Sequence, residues 1–154
     1  MDRSGSMAGA SIKEVRNALQ LCLRSLTPGC RFNSVGFGTS VERLFPESRV
    51  YDDESLTVAA AHVRDMEANL GGTEILRPLE EAFAEPRHAE TRDLVVLTDG
   101  EVTNTDAVLA LVKRHAAVAR VFSVGIGAGA SAHLVKGIAR AGGGAAEFIA
   151  PSLA

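Results

Sequence analysis

The chain contains no apolar run approaching the ~20 residues of a membrane span, so a membrane-embedded role is not expected. It also lacks a basic stripe. Its 16 Lys and Arg are scattered among 19 Asp and Glu, for a formal charge of −3, and nucleic acid is not expected as a main partner. Histidine is sparse, and none of the four (His62, His88, His115, His133) can be paired by pattern with a serine or cysteine nucleophile, so no enzyme is expected. Cysteine numbers two. Cys22 falls on the apolar face of a predicted helix and reads as a small buried hydrophobe, and Cys30 reads as a half-buried thiol before a strand. A disulfide between them cannot be read from sequence. Reduced thiols in an intracellular, cytoplasmic setting are the expectation. There is no internal repeat, no low-complexity tract and no visible secretory leader. With 154 residues, 46 % hydrophobic and 23 % charged, residues 1–154 read as one domain with a substantial core.

What the chain does have is an oxygen-rich turn at its start, Asp2-Arg3-Ser4-Gly5-Ser6, spaced as D-x-S-x-S. A carboxylate and two hydroxyls on alternate residues of one Gly-containing turn put three hard donors on a small arc, which suits Mg²⁺ or Mn²⁺ and suits a soft metal poorly. Two further oxygen donors stand at loop positions far along the chain. Thr73 lies in Leu70-Gly71-Gly72-Thr73-Glu74, and Asp99 in Leu97-Thr98-Asp99-Gly100-Glu101. Each sits beside glycine, which permits tight turns next to an ion.

In order and spacing, these three segments resemble the metal-ion-dependent adhesion site (MIDAS) of a von Willebrand factor type A (vWA) domain, and the resemblance covers essentially the whole chain. Gly36-Phe37-Gly38, Phe45-Pro46-Glu47-Ser48, Gly71 to Leu76, Thr98 to Thr103 and Lys136 to Arg140 are similar to one branch, the von Willebrand factor A domain-containing protein 5 group, related to the inter-alpha-trypsin inhibitor heavy chains. The resemblance implies that Ser4 and Ser6 bind the metal directly. Asp2 and Asp99 would act mainly through waters or as outer acceptors, and Thr73 would bind when a ligand is engaged. It implies a protein partner supplying a Glu or Asp carboxylate, with Gly72, Glu74, Gly100 and Glu101 lying beside the metal where that partner docks. A family member normally has a buried central strand ahead of the turn, yet only Met1 precedes Asp2. The expectation is a first central strand that is missing or truncated, in a fragment of a longer protein with a further domain upstream.

Periodicity supports an α/β reading. Ile12, Val15, Leu19, Cys22 and Leu26 have helical spacing, and Thr27-Pro28-Gly29 ends that helix. Arg31 to Gly38 reads as a strand, Arg43 to Phe45 as a short second strand, Glu54 to Glu67 and Glu74 to Ala84 as helices. Asp93 to Thr98 is a continuous apolar run closed by Asp99-Gly100, the pattern of a parallel strand buried on both faces. A helix over 104–117, a strand over 120–126, a helix over 132–141, a stop at Gly142-Gly143-Gly144 and a last strand over 146–149 follow. Alternating strands and helices imply a three-layer, doubly wound, Rossmann-like α/β fold with a mostly parallel sheet. The vWA resemblance implies strand order 3-2-1-4-5-6. Ligands of such sheets bind beyond the carboxyl ends of the strands at the switch point, where Asp2 and Asp99 would meet.

Two rival motifs are weak. Gly125-Ile126-Gly127-Ala128-Gly129-Ala130 matches a dinucleotide fingerprint, but it follows a late strand, and Glu147 falls inside the last one. Asp99-Gly100 after a buried strand suggests an aspartyl phosphatase, but no D-x-D is present. The function expected is a metal-dependent protein–protein interaction module, with a purely stabilising ion in a scaffold domain as the alternative and a Mg²⁺-dependent hydrolase behind both.

Overall fold

The computed structural model describes residues 1–72, 74–84, 92–99, 104–127 and 131–149. A 3-10 turn over Gly5–Met7 leads into α1 (Ala10–Arg24). Four short strands follow: β1 (Arg31–Phe32), β2 (Val35–Phe37), β3 (Val41–Arg43) and β4 (Arg49–Val50). Then come α2 (Asp53–Arg64), α3 (Leu76–Ala84), β5 (Arg92–Thr98), α4 (Thr105–Arg114), β6 (Ala119–Ile126), α5 (Ala132–Ala141) and β7 (Gly143–Ile149).

β5, β6 and β7 form a parallel sheet in that order, with Val95 opposite Phe122 and Val124 opposite Glu147. β2 and β3 pair antiparallel, as do β1 and β4. Met1 to Arg3 lie between the two halves. Asp2 bridges in parallel to Phe37, and its N–H donates to the Leu97 carbonyl at 2.7 Å. The spatial order is therefore β3, β2, Met1–Arg3, β5, β6, β7, and the expected 3-2-1-4-5-6 arrangement is present with only three residues in the first-strand place.

Alternation along the strands builds three layers, because successive side chains point to opposite faces. Val96 and Val121 pack with Ile75 and Leu79, with Val108, Leu111 and Val112 of α4, and with Leu134 and Ile138 of α5. Leu97 and Ile126 face the other way, onto Met7, Ile12, Val15 and Met66. A third cluster of Leu23, Phe32, Phe45, Ala59 and Val63 ties α1 to α2 and β1. Among the described residues no helix is long and apolar enough to cross a membrane.

Several expectations are corrected. The inward residue of the last turn of α1 is Leu23, and Cys22 is exposed rather than buried. The period of 3.6 carries the apolar stripe from Leu19 to Leu23, which leaves Cys22 at its edge. The single strand expected over 31–38 is broken at Asn33-Ser34. There the Asn33 side chain donates to the Phe45 carbonyl at 3.0 Å and accepts from the Phe45 N–H at 3.1 Å, replacing a ladder rung. The short second strand lies at Val41–Arg43 rather than 43–45, and β4 had no sequence signal. The Gly142-Gly143-Gly144 run does end α5, but it also starts β7. A Cβ on Gly144 would lie 2.2 Å from the Val121 carbonyl oxygen, so only glycine lets β7 close onto β6 there.

α2 carries the best local start signal. The Ser55 N–H donates to Asp52 at 2.8 Å, which holds the Asp52 carboxyl below its usual range. The fully buried Ser55 hydroxyl accepts from the Asp52 N–H at 3.0 Å and donates to the Val50 carbonyl at 2.8 Å. Ser55→Ala is expected to cost about 1–2 kcal/mol. Calorimetry should show a melting temperature lower by roughly 3–6 °C.

Candidate metal centre

The site begins with a carboxylate that has been taken out of water. Asp2 is fully buried, because its backbone sits between β2 and β5. Its two oxygens are held separately: Oδ1 accepts from the Ser4 N–H at 2.9 Å and the Ser4 hydroxyl at 2.6 Å, and Oδ2 accepts from the Thr98 hydroxyl at 2.8 Å. Burial pushes the Asp2 carboxyl above its usual range, the hydrogen bonds from Ser4 and Thr98 oppose that shift, and the nearby charge of Asp99 adds to it.

From Asp2 the oxygens continue as an arc. Ser4 Oγ lies 3.0 Å from Ser6 Oγ, and the Ser6 hydroxyl donates to Asp99 Oδ2 at 2.6 Å. The 3-10 turn after Ser4 sets this spacing, with Met7 buried beneath it and Ser6 facing solvent. Asp99 arrives from the carboxyl end of β5, and its carbonyl accepts from the Ser131 N–H at 3.0 Å. Two segments 93 residues apart thus place two hydroxyls and two carboxylates in one short chain of contacts.

The donor set fits a hard divalent cation. In an octahedral shell with metal–oxygen distances near 2.0–2.1 Å, adjacent oxygens lie about 2.9 Å apart. The Ser4–Ser6 separation of 3.0 Å matches such an edge. Among the described residues there is no cluster of three or more His, Cys, Asp or Glu.

The Gly71-Gly72 loop is stitched to this turn. The Gly5 N–H donates to the Gly71 carbonyl at 2.8 Å, and the Leu70 N–H to the Arg3 carbonyl at 3.0 Å. The Gly72 N–H donates to the Thr39 hydroxyl at 2.8 Å. Glu74 is exposed, and its N–H donates to the Gly38 carbonyl at 3.1 Å. The structure therefore brings together Asp2, Ser4, Ser6 and Asp99 and ties Gly72 close by. Thr73, Gly100 and Glu101 lie outside the described residues.

Two contributors were not picked out from the sequence. Thr98 reads as a strand end, yet its hydroxyl holds Asp2. Arg3 occupies a variable-looking position but is 4 % exposed, with Nε donating to the Glu67 carbonyl at 2.9 Å and Nη2 to Asn69 Oδ1 at 2.8 Å. The only sequence signal for either was adjacency to a site residue.

Comparison with known proteins bears on the same region. A family model described as von Willebrand factor type A domain matches residues 1–148. Human von Willebrand factor A domain-containing protein 5B1 is 44 % identical over 150 residues, covering 97 % of this chain and 12 % of that protein. Human von Willebrand factor A domain-containing protein 5A is 45 % identical over 159 residues, covering 97 % and 20 %. The chain thus spans about an eighth to a fifth of these relatives. Among solved structures, a von Willebrand factor type A protein from Catenulispora acidiphila superposes with a TM-score of 0.84 at 24 % identity, over 96 % of this chain and 37 % of that one. Proximal thread matrix protein 1 from the mussel byssus, with a zinc-occupied MIDAS motif, gives 0.69 at 17 % identity, over 96 % and 39 %. Manganese-loaded Plasmodium vivax TRAP protein gives 0.67 at 20 % identity, over 91 % and 60 %. The sheet order, the oxygen arc at its switch point and these matches agree, and the chain belongs to the von Willebrand factor type A domain family.

Proposed function

We propose that this domain is a divalent-metal-dependent protein-interaction module, in which Mg²⁺ or Mn²⁺ held at Asp2, Ser4, Ser6 and Asp99, with Thr73 completing the set, takes an acidic residue of a partner protein. The observation that carries this reading is the oxygen arc, with its hydroxyl pair at octahedral-edge spacing and two carboxylates at its ends. The metal-loaded members of the fold support it. When bound, the ion would supply a Lewis-acidic position for a carboxylate oxygen. The chain's own part is to keep that position open: Ser4 and Ser6 are neutral donors, and the Asp2 and Asp99 carboxylates at the ends of the arc are already engaged by the hydroxyls of Ser4, Thr98 and Ser6. The exposed edge of the arc at Ser6, beside Gly71 and Gly72, is where a partner would approach. No residue is assigned a catalytic role.

Water-proton relaxation of bound Mn²⁺ tests this directly. Acetate or a Glu-containing peptide should lower the relaxivity of the Mn²⁺-loaded protein by displacing a water. Ser6→Asp, which adds a competing carboxylate, should retain Mn²⁺ and lose most of that response. An ion that binds and stabilises the fold while its relaxivity ignores carboxylates in both proteins would point to the scaffold reading instead.

A further inference from the structure

The turn between β2 and β3, Gly38-Thr39-Ser40, folds against the metal-site loop. The Gly38 N–H donates to the Ser40 carbonyl at 3.0 Å and closes the turn. Further bonds then cross to residues 70–74. The Thr39 N–H donates to the Leu70 carbonyl at 2.7 Å, the Glu74 N–H to the Gly38 carbonyl at 3.1 Å, and the Gly72 N–H to the Thr39 hydroxyl at 2.8 Å. The first two are backbone bonds, open to almost any residue. The last needs a short side chain with an acceptor at position 39, which a hydroxyl supplies.

That bond falls at a particular place in the loop. The Gly71 carbonyl and the Gly72 N–H are the two ends of one planar peptide unit. Its carbonyl end accepts from the Gly5 N–H at 2.8 Å, inside the oxygen turn, and its N–H end donates to Thr39. One peptide is therefore strung between the metal turn and the β2–β3 turn. Rotating it would break both bonds together. Glycine on either side makes that rotation easy, and Gly71 already stands at a φ of +85°. A Cβ on Gly71 would lie 2.8 Å from the Thr39 hydroxyl oxygen, and one on Gly72 3.1 Å, so the hydroxyl is packed against bare backbone. In such a chain each bond polarises the next, and losing the acceptor at one end weakens the bond at the other. Thr73 follows Gly72 in sequence and precedes Glu74, so both of its neighbours are held by the β2–β3 turn.

We propose that Thr39 is a positioning residue of the metal centre, whose hydroxyl locks the Gly71–Gly72 peptide and so sets Thr73 for an ion that is engaging a carboxylate. The inference rests on the carboxylate-taking reading of the site. Among the described residues the Thr39 hydroxyl bonds to Gly72 alone, and Thr39 is exposed. Removing it therefore leaves the core and the donors Asp2, Ser4, Ser6 and Asp99 in place. Ion binding should change little and ligand engagement a great deal.

The test compares three variants. Thr39→Val keeps the shape and removes the acceptor, Thr39→Ala removes the atom without crowding the Gly72 N–H, and Thr39→Ser keeps the hydroxyl. In the metal-free protein, hydrogen exchange at the Gly5 amide should quicken about fivefold or more in the valine and alanine variants and stay near the parent's in the serine variant. A merely local loss would quicken Gly72 alone. Loaded with Mn²⁺, the valine and alanine variants should hold the ion within about threefold of the parent, yet need about tenfold more acetate for the same fall in relaxivity. Serine should restore the response. If the valine variant does not fold, the alanine variant carries the comparison. Unchanged Gly5 exchange overturns the lock, and a full acetate response without the hydroxyl overturns the part of Thr39 in engagement. A parent that does not hold Mn²⁺, or holds it and ignores acetate, overturns the interaction reading and the role in engagement with it, while quickened Gly5 exchange would still support the lock.

Discussion

Gly38→Ala lowers stability by about 2–3 kcal/mol, the upper range for forcing extra volume into a packed site. For a domain of this size, calorimetry should record a melting temperature roughly 5–10 °C lower. A Cβ on Gly38 would lie 2.3 Å from the Leu70 carbonyl oxygen and 2.6 Å from its carbon, and neither is the end of a flexible side chain. The contact is tight because three hydrogen bonds draw the segments together. The Thr39 N–H donates to the Leu70 carbonyl at 2.7 Å, the Glu74 N–H to the Gly38 carbonyl at 3.1 Å, and the Gly72 N–H to the Thr39 hydroxyl at 2.8 Å. Relief can come only by moving the 70–72 loop, and Gly71 is bonded to Gly5 inside the oxygen turn. The same substitution should therefore weaken the response to Mg²⁺. A variant that melts lower but responds fully would show that the loop moves without disturbing the site.

Arg3→Met should cost about 3 kcal/mol. The partners decide the size. The pair with Glu42 at 3.0 Å contributes little, since Glu42 is half exposed and water screens it. The bonds to the Glu67 carbonyl and to Asn69 are sheltered, and losing a charged donor to each is worth roughly 1.5–3 kcal/mol. Methionine restores most of the volume, so the loss is mainly polar. Arg3→Lys should recover less than half, because one ammonium cannot reproduce the planar fork that spans Glu67 and Asn69. Full recovery with lysine, read from paired urea melts, would mean that charge alone matters.

The apolar periods made the layers legible. The unbroken run before Asp99 gave β5, although only Val96, Leu97 and Thr98 of it are buried and Val95 is exposed, and the 3.6 spacing of Ile12, Val15 and Leu19 gave the inner face of α1. The phase failed at Cys22, because an apolar residue beside a stripe does not reveal on which side of the edge it falls. Short edge strands such as β4 were invisible, since two residues carry no period and their pairing is set by the partner strand. The side chains that meet in the oxygen arc could be named because chemistry and spacing coincide at Asp2, Ser4, Ser6 and Asp99. Thr98 and Arg3 could not, since a hydroxyl in a strand and an arginine in a turn read as ordinary surface residues until the fold aims them. The Asn33 side chain that interrupts the expected strand belongs to the same class, a polar group whose role is fixed only by a partner twelve residues away.

A calorimetric melt in EDTA and then in rising Mg²⁺, run on the parent and on Asp99→Asn, tests the central claim most directly. A ligand that binds only the folded state stabilises it by about 2.7 kcal/mol at a hundredfold excess over its dissociation constant. That should raise the parent's melting temperature by roughly 5–10 °C. In EDTA, Asp99→Asn should melt no lower than the parent, because it keeps an acceptor for Ser6 while removing a charge that opposes ionisation of Asp2. It should then show almost no rise with Mg²⁺. A parent indifferent to both Mg²⁺ and Mn²⁺, or an Asp99→Asn protein that rises as far as the parent, would contradict the metal centre.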